Sequence, residues 1–218
     1  MWDLIRSGGP VMIPILLCSV VALGLILERL LTLRRKRIVV PEVVEVVETL
    51  AASRDFSQAY AILKRKPGPF ANLVRAGLDH AGDDWRIIQN VLQEAGRQEA
   101  VRLTRHLRII ETMAAIAPLL GFLGTVTGMM RIFTSVSTRG LGDTFQFSSG
   151  LAEALVTTVF GLSIGIPTLV AHNWLEGRAA GIVFELECYA TKLLDTLRDR
   201  HARSPGRMAT DKVTVEAD

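Results

Sequence analysis

The sequence is poor in the side chains from which covalent and metal-bound frameworks are built. It has two cysteines, Cys18 and Cys188, too few for the disulfide framework of a small secreted domain. The four histidines are scattered with no metal-ligand spacing, and neither a phosphate-binding loop nor a nucleophile motif is present. These absences predict a protein with no metal, no cofactor and no enzymatic activity.

Charge is also missing, from three long blocks of the chain. The uncharged blocks are 10–27, 112–130 and 154–171. Each is long enough to cross the ~30 Å hydrocarbon core of a bilayer at about 1.5 Å per helical residue. With 49% hydrophobic residues concentrated in these blocks, the sequence predicts an all-α membrane protein with three transmembrane helices that form one functional unit.

Basic residues flank the blocks unevenly. Only Arg6 precedes the first block, whereas the cluster 34–37 (RRKR) follows it like a stop-transfer signal. Because positive charge favours the cytoplasmic side, we expect a periplasmic N-terminus and a cytoplasmic C-terminus. The flanks also account for the sequence pI of about 9.1, so membrane lipids, and no nucleic acid, are the expected anionic partners.

Between and after the blocks, apolar residues recur at helical spacing. We expect the second and third spans to extend far into the cytoplasm, the second as one helix from Asp84 with Pro118 as the position for a bend, and Asp55 to cap a shorter helix. The predicted segments are a periplasmic N-terminus 1–9, span one 10–31, a cytoplasmic helical domain 32–111, span two 112–134, a periplasmic loop 135–147, span three 148–173, a C-terminal cytoplasmic helix 174–201 and a disordered tail 202–218.

Span three carries polar groups that are expensive in lipid, namely Glu153, Thr157 and Thr158. Counted from the outer ends of antiparallel spans, Thr125 and Thr158 both lie ~14 Å deep at about 1.5 Å per residue, so they can face each other. A membrane threonine also commonly bonds a carbonyl of its own helix, which is the structural alternative. Glu153 lies ~7 Å below the outer end, where a carboxylate attracts cations and can exchange protons.

Small residues form stripes along spans two and three. Such stripes let transmembrane helices approach closely, which favours a packing role over a transport role. His172 lies too far along the helix from Glu153 for an acid–base pair, and with Asn173 and Trp174 it resembles an interfacial anchor. The residues assigned to packing are Gly121, Gly124, Gly128, Gly161, Gly165, Pro118 and Pro167.

Two motifs carry a family resemblance. They are APLLGFLGTVTGMM at 117–130, and GLAEALVTTVFGL at 150–162 followed by Ile166-Pro167. In these motifs the chain resembles the MotA/TolQ/ExbB proton channel family, on its ExbB and TolQ branch. The resemblance implies that Thr125 and Thr158 are pore threonines and that Glu153 is the acid of span three. Thr157 ranks lower, because several relatives have alanine at that position.

The resemblance also implies an assembly in the bacterial inner membrane. It implies a homopentamer whose pore holds a dimer of an ExbD- or TolR-like single-span protein, with a TonB- or TolA-like protein as a further partner. The proton motive force would then energise outer-membrane transport or envelope integrity. Thr127 replaces a tryptophan common in relatives, and Ser148-Ser149 replaces Ala-Pro, which leaves the subfamily open. The alternative is a non-conducting scaffold whose cytoplasmic helices recruit partners.

Overall fold

The computed structural model describes residues 8–49, 56–139 and 144–203, and every regular element within these ranges is an α-helix. Apolar positions at a helical period account for this, because that period buries one face of each helix. The prediction of an all-α fold is confirmed. In chain order the helices are α1 (Met12–Thr32), α2 (Arg35–Ile38), α3 (Pro41–Thr49), α4 (Ser57–Arg65), α5 (Pro69–Asp79), α6 (Trp85–Thr104), α7 (Leu107–Arg139) and α8 (Thr144–Arg203).

Three helical stretches are long and apolar enough to cross a membrane, judged by length and composition. They are Met12–Thr32, Trp85–Thr138 and Phe147–Asp199. Each covers all or most of one uncharged block, which confirms the expectation of three membrane helices. The large side chains on their outer faces are exposed, as lipid-facing side chains are.

The chain divides into two compact units. Unit 1 comprises Met1–Thr32 and Thr104–Gly177, and unit 2 comprises Leu33–Leu103 and Arg178–Asp218. In unit 1, α1 packs along α7. There the Cys18 thiol lies 3.6 Å from the Met113 carbonyl oxygen, as a weak donor.

Unit 2 packs the short helices α3, α4 and α5 against one another. Its core is apolar, with Val43, Phe70 and Leu193 each fully buried. The Phe70 and Tyr189 rings pack with centroids 4.9 Å apart. At its surface the Lys192 ammonium lies 3.0 Å from the Glu48 carboxylate. Unit 2 therefore has the apolar interior and charged exterior of a water-soluble bundle.

The expectation of one uninterrupted helix from Asp84 through span two is wrong. A turn at Arg105 and His106 separates α6 from α7, whereas Pro118 lies inside α7. The amides of Ile109 and Ile110 bond the His106 carbonyl and begin the new helix. The His106 ring lies 3.4 Å from Glu28 of α1. The local sequence has no glycine or proline to mark this break.

The ends of the other helices refine the predicted segments. Helix α7 continues to Arg139 and α8 begins at Thr144, so both extend into the segment 135–147 that was predicted as a loop. Helix α8 then runs unbroken for 60 residues, through span three and its predicted extension. Asp55 and the tail from residue 204 onward lie outside the described residues, so their predicted cap and disorder stay predictions.

Candidate functional site

Helices α7 and α8 meet along a seam of glycines. A Cβ atom added to Gly161 would lie 2.7 Å from the Ala117 carbonyl oxygen, and one added to Gly121 would lie 2.9 Å from the Thr157 carbonyl oxygen. Both distances are shorter than van der Waals contact, so no side chain fits at either position. The two backbones therefore touch directly, as small-residue stripes allow in membranes.

The same seam includes the other small residues that the sequence assigned to packing. A Cβ on Gly128 would lie 2.8 Å from the Gly150 carbonyl oxygen, and one on Gly165 would lie 2.6 Å from the Pro118 ring. Pro118 thus packs against Gly165 across the seam. Pro167 lies inside α8 on its exposed side, so its predicted packing role stays a prediction.

Thr157 fills a gap that Gly124 leaves open. Thr157 is fully buried, and a Cβ on Gly124 would lie only 2.2 Å from its hydroxyl oxygen. The hydroxyl donates to carbonyls of its own helix, those of Glu153 at 2.9 Å and Ala154 at 3.0 Å. Within one chain Thr157 therefore acts as a packing residue, and its role in lining a pore stays a prediction.

The two other threonines are partly exposed and bond differently. The Thr158 hydroxyl lies 3.3 Å from the Gly121 carbonyl of α7 and 3.2 Å from the Ala154 carbonyl of α8. The Thr125 hydroxyl donates to Phe122, three residues back in its own helix, at 2.6 Å. Thr158 therefore bridges the two helices, whereas Thr125 bonds only locally among the contacts described. The predicted sharing of one polar lining by Thr125 and Thr158 stays a prediction.

Glu153 is buried and paired with an arginine. Its residue is 5% exposed, and Arg131 Nη1 of α7 donates to its Oε2 oxygen at 2.5 Å. A charge-assisted bond of this length between a buried carboxylate and a guanidinium fixes the carboxylate in place. Glu153 therefore has a charged partner on α7, eight residues before that helix ends at Arg139, instead of standing alone at the mouth of a path.

Arg131 is the site residue that sequence reasoning missed. It follows directly after the uncharged block 112–130, inside the predicted span two (112–134), and no role was predicted for it. Counted from the outer ends of the predicted spans, at residues 134 and 148, Arg131 lies about 4–5 Å deep and Glu153 about 7 Å deep. The similar depths of Arg131 and Glu153 on antiparallel spans could have predicted an ion pair between them.

The second oxygen of Glu153 is enclosed and unpaired. Among the described residues, Oε1 is buried and has no hydrogen-bond partner. It lies against Gly9, where an added Cβ would come within 2.0 Å of it. Gly9 has a φ of 63°, which an L side chain rarely adopts. The turn before α1 therefore closes over the carboxylate and leaves Oε1 as a buried acceptor without a donor among the described residues.

Other polar residues of unit 1 were also considered as ligands or anchors in the sequence. In the described ranges no three or more His, Cys, Asp or Glu residues lie close enough to hold a metal ion. His172, predicted as an interfacial anchor, is instead buried, and its Nδ1 lies 3.3 Å from the Asn173 amide oxygen. It continues the buried face of α8 on which Thr157 and Thr168 lie.

Comparisons with known proteins identify a family and several relatives. Residues 65–188 match the model of the MotA/TolQ/ExbB proton channel family. A biopolymer transport protein described as ExbB-like 1, from Synechocystis sp., is 32% identical over 79% of this chain and 69% of its own length. A second one, ExbB-like 3 from the same organism, is 33% identical over 77% of this chain and 80% of its own.

Similarity also extends to the Tol system. The Tol-Pal system protein TolQ of Pseudomonas aeruginosa is 27% identical over 61% of this chain and 52% of its own length. The family is one of channels and not of enzymes. With its three membrane-spanning helices and its glycine seam, the chain belongs to the MotA/TolQ/ExbB proton channel family, on its ExbB/TolQ branch.

Proposed function

We propose that the chain is the proton-conducting stator subunit of an ExbBD- or TolQR-like motor in the bacterial inner membrane. Five copies would surround the single spans of an ExbD- or TolR-like dimer, with the N-terminus and Glu153 on the periplasmic side. A TonB- or TolA-like protein would receive the output, and the process energised would be outer-membrane transport or envelope integrity. The basic cluster after α1 supports this orientation.

The observation that carries the proposal is the buried Glu153 with its unpaired oxygen. Burying a polar atom without a partner is unfavourable by about 1–3 kcal/mol. Ionisable residues within membrane spans normally mark ion pathways. This unfavourable burial is explained if Oε1 binds and releases a proton during each transport cycle. The oxygen must then be without a hydrogen-bond donor in the state that is ready to receive the proton.

The remaining part of the path requires a second chain. Apart from Glu153, no carboxylate occurs between Thr112 and Trp174 except Asp143, in the connection between the two spans. The chain therefore has no acid near mid-membrane to pass a proton onward. An acid on the partner's span would complete the relay, and one charge that crosses 100 mV releases ~2.3 kcal/mol for mechanical work.

The proposal is tested by proton flux into liposomes that contain the chain with its single-span partner. We expect Glu153→Gln to abolish flux while the assembly stays intact by size-exclusion chromatography. Glu176→Gln is the matched control, because Glu176 is an exposed glutamate of the same helix, and it should conduct as the wild type does. Undiminished flux in Glu153→Gln would contradict the proposal, and no flux in any sample would favour the scaffold alternative.

The threonines give a second, smaller test. Replacing Thr158 by valine removes the hydroxyl that bridges α7 and α8 while keeping the side-chain shape, and Thr125→Val does so on α7. We expect each variant to lower motor output several-fold with assembly intact. Thr191→Val is the control, since its hydroxyl bonds only Glu187 within α8. Full output in both membrane variants would remove the threonines from the pore.

A further inference from the structure

One arginine of unit 1 is almost fully buried without a partner. Arg29 lies in the last turn of α1, and the residue is 5% exposed. Its Nε atom is enclosed and has no hydrogen-bond partner among the described residues. The terminal nitrogens Nη1 and Nη2 are not enclosed in this way, so the tip of the side chain reaches the surface. A guanidinium is always charged and only donates hydrogen bonds, so this tip is suited to an anion.

The carboxylates of the same region do not supply that anion. Glu28, the preceding residue, is half exposed, and its oxygen lies 3.4 Å from the His106 ring of α7. Glu111 of α7 is exposed, and neither glutamate pairs with Arg29 within the described part of the chain. The negative end of the α1 dipole favours a cation in the last turn, but no carbonyl there accepts the Nε–H bond. The burial of Arg29 is therefore only partly compensated by unit 1 itself.

The guanidinium lies near one edge of the membrane. Arg29 is ~26 Å along α1 from Met12 at about 1.5 Å per residue, which is close to the ~30 Å thickness of the hydrocarbon core. Its neighbours Leu27, Leu30 and Leu31 are exposed, as side chains that face acyl chains are. Long cationic side chains near helix ends extend to the headgroups in this way. The tip of Arg29 is therefore at headgroup depth.

Two further arginines lie at this end of unit 1. The contact between Glu28 and the His106 ring brings the end of α1 to the start of α7. Arg105 in the turn before α7 and Arg108 in its first turn are exposed, and neither is in an ion pair with another described residue. With Arg29 they make three arginines against two glutamates. This end of the helix pair is therefore positively charged.

A phospholipid headgroup has the anionic chemistry that fits this position. Its phosphate is held at headgroup depth by its own acyl chains, and its oxygens accept paired N–H bonds from a guanidinium. Arginines beside a span attract anionic lipids most strongly. The positive charge therefore favours phosphatidylglycerol, which has a net negative headgroup, over phosphatidylethanolamine, which has none.

We propose that Arg29 binds the phosphate of an anionic phospholipid at the end of α1, where Arg105 and Arg108 supply further positive charge. The phosphate meets the guanidinium end-on, through Nη1 and Nη2, and its negative charge lowers the cost of burying Nε. The acyl chains lie on the exposed leucines of α1. This site is at the opposite end of α1 from Gly9 and Glu153, so it goes beyond the proposed channel function and does not depend on it.

Native mass spectrometry of the full chain in detergent micelles tests the site, because it counts bound lipids and measures the affinity of each. Delipidated protein is titrated with phosphatidylglycerol, with phosphatidylethanolamine or with inorganic phosphate. We expect the wild type to bind one phosphatidylglycerol per chain several-fold more tightly than phosphatidylethanolamine. In Arg29→Gln the affinity of this tightest lipid should fall by about tenfold or more, because hydrogen bonds to a charged group are lost.

Three further variants separate lipid binding from structural damage. Arg97→Gln is the matched control, since Arg97 makes an exposed pair with Glu94 in unit 2, and it should bind lipid as the wild type does. Arg29→Lys keeps the charge but not the paired N–H geometry, so we expect an intermediate affinity. If Arg29→Gln does not fold, the double variant Arg105→Gln/Arg108→Gln replaces it. Both of its positions are exposed, and it should weaken phosphatidylglycerol binding several-fold.

The possible results are distinct. Weaker phosphatidylglycerol binding in Arg29→Gln, with unchanged binding in Arg97→Gln, supports the site. Equal affinities of the wild type and Arg29→Gln, or of the wild type and the double variant where Arg29→Gln does not fold, would overturn it. Equal affinities of the wild type for the two lipids would also overturn it. Displacement of the tightest lipid by inorganic phosphate would assign the position to the free ion and overturn the lipid.

Discussion

The two halves of helix α8 bury opposite kinds of side chain. In the first half the buried residues are small or polar, such as Ala154, Thr157 and Thr168, while leucine, valine and phenylalanine are exposed. In the second half Ile182, Leu186 and Leu193 are buried, while charged residues are exposed. The two halves are therefore patterned for different surroundings, lipid for the first and water for the second. In lipid there is no advantage in burying apolar side chains, so close backbone packing holds the helices together.

The largest effect is expected from Leu193→Ala in the second half. Leu193 is fully buried, and a Cβ on Gly77 would lie 2.8 Å from its Cδ2 atom. Losing this side chain should lower the free energy of unfolding by about 2–5 kcal/mol, through lost transfer and a cavity. Phe184→Ala, at an exposed phenylalanine of the same helix, should change it by under about 0.5 kcal/mol. Thermal unfolding of the full chain in detergent, followed by circular dichroism, measures both.

A smaller loss is expected from Gly161→Ala in the first half. The added methyl group meets backbone atoms of α7 that cannot move aside, so we expect a cost of about 1–3 kcal/mol. Gly181→Ala makes the same change on the same helix where nothing lies within 4 Å. It should be neutral or stabilise by up to about 1 kcal/mol, the difference in helix propensity. If Gly161→Ala and Gly181→Ala lowered the melting temperature equally, the contrast between the two halves of α8 would be wrong, because the second half would then be packed as closely as the first.

The smallest effect concerns the ion pair between Arg35 and Glu185 on the surface of unit 2. The hydrogen bond from Arg35 lowers the pKa of Glu185 below its usual value. The pair therefore stabilises the fold above the unfolded pKa of about 4.3, and this contribution is lost as pH falls through the lowered folded pKa. Glu185→Gln should cost at most about 1 kcal/mol at pH 7. The difference in melting temperature between the wild type and Glu185→Gln should disappear in acid. A difference that stays constant with pH would contradict the contribution of this ion pair.

The sequence was sufficient to predict the helical class and the three spans, because uncharged apolar blocks of bilayer length are typical of transmembrane helices and rare in water-soluble domains. It was also sufficient for the glycine seam, since small residues at helical spacing have one main use in membranes. The motifs around Gly124 and Glu153 identified the family. These features depend on composition and short spacing, which sequence displays directly.

Other features depend on contacts between distant residues. The break at Arg105 and His106 has no glycine or proline to mark it, and the His106 ring there lies 3.4 Å from Glu28, far away in the chain. Thr157 was interpreted by its hydroxyl, but its burial depends on the space that Gly124 leaves on another helix. Arg131 was hidden by its position at the edge of a span, where charges are usually flanks.

The apolar outer face of unit 1 has a consequence for how the protein is made. On insertion scales, each leucine, isoleucine, valine or phenylalanine at a span centre contributes about −0.3 to −0.6 kcal/mol towards entry into the bilayer. The exposed side chains such as Leu155, Val159 and Ile166 therefore bring α8 into the membrane, whereas the glycines contribute little until α7 is beside it. Polar substitutions on the outer face should therefore impair insertion into the membrane during biogenesis. Substitutions in the seam should instead impair helix packing in chains that have already been inserted.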